Sequence, residues 1–84
     1  MITVYAIHDR ILKEIYVGLT NNLTRRLQEH KNGHSKYTKK FKNIELFYFK
    51  GLASYKTARA YEKKLKSGYG KEFLKKELKQ AGIV

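Results

Sequence analysis

The chain has 84 residues, 42% of them apolar and none of them cysteine, so there is room for one small domain spanning residues 1–84, with no disulfide or thiolate metal site to reinforce its core. Nineteen Lys and Arg against seven Asp and Glu give a net charge of +12, which suits a polyanionic partner and excludes none of the classes of nucleic-acid protein. The opening MITVYAIHDR lacks the basic lead and apolar run of a secretory leader, and no apolar stretch approaches the roughly 20 residues of a membrane span, so a soluble cytoplasmic protein is expected.

The charge is not confined to a tail. Residues 1–42 carry nine basic and three acidic side chains and residues 43–84 carry ten and four, a net +6 in each half. Charge alone fits a DNA enzyme, a binding module and an RNA-bound structural protein equally well.

In chain order, Ile2–Ile7 (ITVYAI) and Glu14–Gly18 (EIYVG) are β-branched and aromatic, with Asp9–Lys13 between them, and read as a hairpin. Side chains alternate along a strand, so Ile15 and Val17 share one face of the second strand and Tyr16 takes the other. Thr20, Asn21 and Asn22 offer N-caps for a helix through Leu23, Leu27 and His30 that ends at Lys31–Gly33. Ile44–Phe49 (IELFYF) is the third strand. A second helix starts after Ser54 and runs to about Lys66, and a third begins near Gly70 with Leu74, Leu78 and Ala81 on one stripe. Strand, strand, helix, strand, helix, helix is an α/β arrangement around a small sheet.

Phosphodiester hydrolysis needs an activated water, positive charge against the phosphoryl oxygens and help for the leaving oxygen. A phosphate-cradling Gly-rich loop, a cysteine nucleophile and paired carboxylates are all missing, which leaves tyrosine, arginine, histidine and a lone glutamate. On the first helix, counting from Leu23, Leu27, His30 and Arg26 lie at about 40°, 340° and 300°, and Arg25 at about 200°. Arg26 and His30 thus flank the apolar stripe, whereas Arg25 points to solvent. An inward cation needs an anion, and an ion pair or a bound phosphate serves Arg26 equally. A histidine such as His30 is by itself more often a satisfied structural residue than a proton carrier. On the second helix, counting from Ala58, Glu62 lies at about 40° and Leu65 at about 340°. A carboxylate on that inner face asks for a cation such as Arg59, or for a hard divalent metal. Tyr5 and Tyr16 fit strands whether or not they do chemistry. His30 and His34 have helical spacing, but Gly33 interrupts the helix and nothing completes a tetrahedral zinc site.

Taken in order, Thr3-Val4-Tyr5, Tyr16-Val17-Gly18, the run Asn22 to Arg26 to His30, and Ala58 to Lys66 with Glu62 resemble the GIY-YIG nuclease superfamily over nearly the whole chain. That superfamily includes intron-homing endonucleases, the incision subunit of bacterial nucleotide excision repair and nucleases that cut branched DNA. The resemblance is to its short stand-alone bacterial and phage members, whose tails are like Lys66–Phe73. It implies a three-stranded antiparallel sheet flanked by helices and a metal-dependent DNA endonuclease acting in repair or recombination. It further implies Tyr5, Tyr16, Arg26, His30 and Glu62 as site residues, with Glu62 the one protein ligand to a single Mg²⁺ or Mn²⁺. In this scheme Arg26 neutralises phosphoryl charge, Tyr16 takes a proton from water or relays it to His30, and Tyr5 positions water or phosphate. The same fold without activity would be a nucleic-acid-binding module. Thr3 replaces the glycine of the first motif, and Leu19 stands where the excision-repair branch has lysine. With scattered lysines and no recognition element, backbone and shape readout of duplex or branched DNA is expected, with a targeting protein as a conceivable helper.

If the basic surface is the DNA site, log affinity for DNA falls linearly with log salt, by roughly one unit per phosphate contacted. A flat titration from low to physiological salt contradicts it.

Overall fold

The computed structural model describes residues 1–82, and the last two positions of the expected domain lie outside the described residues. Six elements follow in the expected order: β1 (Ile2–Asp9), β2 (Glu14–Thr20), α1 (Leu23–Lys31), β3 (Ile44–Leu52), α2 (Tyr55–Leu65) and α3 (Gly68–Gln80). The strands form one antiparallel sheet in the order β2-β1-β3. The α/β fold class and the three-stranded sheet flanked by helices are as expected.

β1 is the central strand, and its neighbours explain its composition. Val4, Tyr5, Ala6 and Ile7 are all fully buried, because helices or loops cover both sheet faces at this point. Alternation then divides them between two cores. Val4 and Ala6 pack with Val17, Ala58, Leu65 and Leu74, beneath α2 and α3. Tyr5 and Ile7 pack with Phe41, Tyr16, Leu23, Leu27 and Leu46, beneath α1 and the segment that follows it. A register shift in β3 opposite Ala6 and Ile7 keeps this division along the third strand.

All three strands run longer than the apolar runs that mark them. Pairing continues to Asp9 opposite Glu14 and to Thr3 opposite Thr20, through polar residues that supply backbone hydrogen bonds but no hydrophobic signal. Asp9 is fully buried. One carboxylate oxygen accepts from the Leu12 amide at 2.7 Å, and the other from the Lys42 and Asn43 amides at 3.0 and 2.7 Å. Burial by itself raises a carboxyl pKa, but the three amides outweigh it and hold Asp9 below the usual range. Asp9 thereby ties the β1–β2 turn to the connection entering β3.

Asn22, Ser54 and Ser67 cap the three helices, each side-chain oxygen accepting an amide three residues on. α3 begins two residues earlier than Gly70. Gly70 is instead a packing residue, since a Cβ there would strike the Leu65 backbone. Ala81 is a correction to the expected stripe: it is the exposed C-cap of α3, and Leu74 and Leu78 alone carry the buried face.

Leu74 is 2% exposed at the junction of α3 and the sheet. Leu74→Ala is expected to cost about 2–5 kcal/mol, a large fraction of the stability of so small a domain. Urea unfolding measures it, and an unchanged midpoint contradicts this packing.

Candidate active site

Tyr5 and Tyr16 stand on neighbouring strands and on the same face of the sheet, with ring centroids 6.3 Å apart. Register sets Gly18 directly opposite Tyr5. A Cβ on Gly18 would lie 2.7 Å from the Tyr5 hydroxyl and 2.9 Å from the Tyr16 ring. The glycine two residues after Tyr16 is therefore the space into which both phenols lean, and any side chain there would part them.

α1 lies over this pair and contributes His30 from its last turn, fully buried. His30 Nε2 is 2.7 Å from the Tyr5 hydroxyl, and Nδ1 is 2.5 Å from Thr38 Oγ1. The ring also meets Tyr16 edge-on at 5.2 Å. Burial first, then the nearby Arg26 cation, push the His30 pKa down to about 4. It is neutral at physiological pH, with one nitrogen donating and one accepting.

Arg26 sits one turn before His30 on the same side of α1. Its guanidinium donates to Glu29 at 3.0 Å and to Ser35 at 3.4 Å, and the side chain is 29% exposed. Burial works against its charge, but Glu29 and the neighbouring Tyr5 and Tyr16 oxygens more than compensate and raise its pKa. The ion pair expected as one option for Arg26 is present, and the guanidinium still borders both phenols. Burial raises the Tyr5 pKa to about 12, with Arg26 opposing the shift and Tyr16 adding to it. Assigning the Tyr5 proton to His30 Nε2 leaves the phenol oxygen free to accept from the Arg26 guanidinium, which only donates, and puts the ring proton on Nδ1, facing Thr38.

Glu62 lies on α2, in the layer covering the other sheet face. Its side chain is 13% exposed. The negative charge is felt at Tyr5, where it disfavours the phenolate. Its cation is Lys66, one turn on, at 3.5 Å, rather than Arg59, which is exposed. Tyr5, Tyr16, Arg26 and His30 are thus brought into mutual contact, while Glu62 stands apart from their hydrogen bonds. Arg25 is exposed, as its helical angle requires. His34 is also exposed, and among the described residues no group of three His, Cys, Asp or Glu side chains converges.

A single largely buried carboxylate, paired with one lysine at 3.5 Å, fits a hard divalent ion that keeps most of its waters, and does not fit a site built from several protein ligands.

Three contributors lie outside the sequence motifs. Ser35 and Thr38 are buried polar residues in a lysine-rich connection that carries no periodicity, and Tyr37 stacks on Tyr16 at 6.3 Å and 22°. Only the return of the chain over His30 brings them in.

The model of the GIY-YIG catalytic domain matches residues 1–77, and the chain belongs to that family. Comparison with curated proteins and with solved structures gave no match. Family membership implies a nuclease-type function, and nucleases of this family act on DNA and generally depend on a metal. Among the described residues no helix is long and apolar enough to cross a membrane.

The depressed His30 pKa fixes a pH dependence. The unfolded histidine takes up a proton below its ordinary 6.5 and the folded one only below about 4. This group's contribution is complete above pH 6.5 and is lost as pH falls towards 4, by on the order of 3 kcal/mol. His30→Gln should flatten the stability profile across that window relative to the parent chain. Parallel profiles contradict a buried neutral His30.

Proposed function

We propose that the protein is an endonuclease hydrolysing DNA phosphodiester bonds with one Mg²⁺ or Mn²⁺, residues 1–84 acting as a single catalytic domain. The observation that carries this reading is the convergence of a guanidinium, two phenols and a neutral imidazole on one side of the sheet, within reach of the Glu62 charge.

In this reading Glu62 holds the metal, and a bound ion supplies stabilisation of the charge that builds on the phosphoryl and leaving oxygens. Arg26 is already charged and borders both phenols, so it serves a phosphoryl oxygen without first moving a proton. With its pKa raised to about 12, Tyr5 stays a neutral phenol, bonded to His30, and positions. Tyr16 is half-buried and meets solvent, so it is the phenol that contacts the attacking water. His30 is bonded to Tyr5, and among the described residues no hydrogen bond joins it or Tyr5 to Tyr16, so in this reading His30 acts by orienting Tyr5 and Tyr16 meets the water by itself.

The +12 charge supports binding through the DNA backbone and shape rather than through a base sequence, in duplex or branched substrates of repair or recombination. A cytoplasmic setting and a partner that supplies targeting belong to the same reading.

Plasmid and branched DNA incubated with Mg²⁺ or Mn²⁺ should be nicked, and Glu62→Ala should lower the rate by more than about 100-fold while DNA binding persists. Cleavage that survives both Glu62→Ala and chelator overturns the metal-dependent mechanism. Binding with no nicking of any substrate makes the protein a silent binding module.

A further inference from the structure

A groove runs along the outer edge of the sheet, between β2 and the helices α2 and α3. Its first part, about 420 Å³, starts at Tyr16 and Lys66 and passes Lys71. It shares Lys13, Ile15 and Lys75 with a second part of about 800 Å³ that continues to Arg10, Lys79 and His8. One end therefore lies at Tyr16 on the edge strand and at the lysine that pairs with Glu62.

The walls are cationic and the floor is apolar. Lys71, Lys75 and Lys79 repeat every four residues along α3, so they form one row about 12 Å long. Lys75 meets Glu72 only at 3.7 Å on an exposed surface, and Lys71, Lys79 and Lys13 have no carboxylate partner among the described residues. Such a row of like charges on one helix face is unfavourable on its own account. Between the walls lie Ile15, Leu74 and Leu78. At the far end, His8 is 4% exposed, and its Nδ1 has no hydrogen-bond partner among the described residues.

A polyanion with apolar, hydrogen-bonding side groups matches this lining. Phosphates suit the lysine row, whose length is that of three to four stacked nucleotides at about 3.4 Å each. Sugars and base faces suit the apolar floor, and an unpaired base offers a free edge to a ring nitrogen such as that of His8. A duplex does not suit it: the groove is bounded by one strand and its neighbouring helices, in a body measuring only 33 × 27 × 19 Å.

We propose that this groove carries a single-stranded DNA segment leading away from the scissile phosphate, so that the preferred substrate has an unpaired tail beside the cleaved bond. The proposal rests on the nuclease reading of the Tyr16 and Glu62 site. Lys71, Lys75 and Lys79 grip the tail backbone, and Lys13 closes on it from the hairpin.

Fluorescence anisotropy in chelator, which prevents cleavage, tests it with a blunt duplex and with the same duplex bearing a single-stranded tail. The parent chain should bind the tailed form about tenfold tighter. Lys71→Gln/Lys75→Gln/Lys79→Gln, which keeps good helix formers on an exposed face, should abolish that preference. It should also reduce the log–log salt slope of tailed binding by about two, at about 0.7 per lost contact. Lys13→Asn, tolerated at its φ of 57°, should lower the preference by a smaller factor. A control with the same loss of charge elsewhere, Lys31→Gln/Lys42→Gln/Lys56→Gln, should leave it intact. Equal binding of blunt and tailed DNA by the parent chain, or equal effects of the two triple variants, overturns the proposal. Glu62→Ala should keep the tail preference. Failure of cleavage on every substrate with that preference intact sinks the nuclease reading alone, and cleavage without any preference sinks the groove alone.

Discussion

The hydrogen bond between Tyr5 and His30 is the constraint on which the site depends. It joins the central strand to the last turn of α1, both side chains are fully buried, and neither carries a charge. Burial first of all enforces that neutrality, raising the phenol's pKa and lowering the imidazole's, and the Arg26 cation adds to the effect on His30. With this pair neutral, the one persistent charge in the cluster is the Arg26 guanidinium, which Glu29 anchors from behind. Had His30 been protonated, it would have opposed Arg26 across a dry interface, an arrangement that is costly without a bound anion.

Geometry around the pair follows from backbone requirements. Gly18 opens the space for both phenols, the antiparallel register places it there, and Thr38 holds the second ring nitrogen of His30 from beyond the end of α1. Asp9, on the other side of the hairpin turn, clamps the connection that carries Ser35 and Thr38 to the start of β3. The site is thus held at three points that are distant in sequence, and none of them is an exposed loop residue free to drift.

Much of this was legible in the sequence. Element order, the helical stripe that carries Arg26 and His30 inward, and the inner position of Glu62 all follow from periodicity, because apolar side chains report which face is buried. Strand ends were not legible, since Asp9 and Thr20 pair through the backbone alone. Glu62 was expected to meet a cation such as Arg59 or a metal; the cation it meets is Lys66, one turn on, as any of several nearby cations on a basic helix face would satisfy the same charge. Ser35, Tyr37 and Thr38 carried no signal, because a lysine-rich connection has no period and its contacts exist only once it folds back over α1. The link between Tyr5 and His30, in place of one between Tyr16 and His30, required the register to be known. The lysine row on α3 passed as scattered charge, because its alignment with the β2 edge is a property of the assembled layers.

Nitrogen-15 NMR of the His30 ring reads the central constraint directly, through the shifts of its two nitrogens as pH is lowered. A neutral ring with the proton on Nδ1, titrating only near pH 4, is the expected result. A ring that titrates near the ordinary 6.5, or that carries its neutral-state proton on Nε2, contradicts the assignment of Tyr5 as donor and of His30 as the buried neutral acceptor.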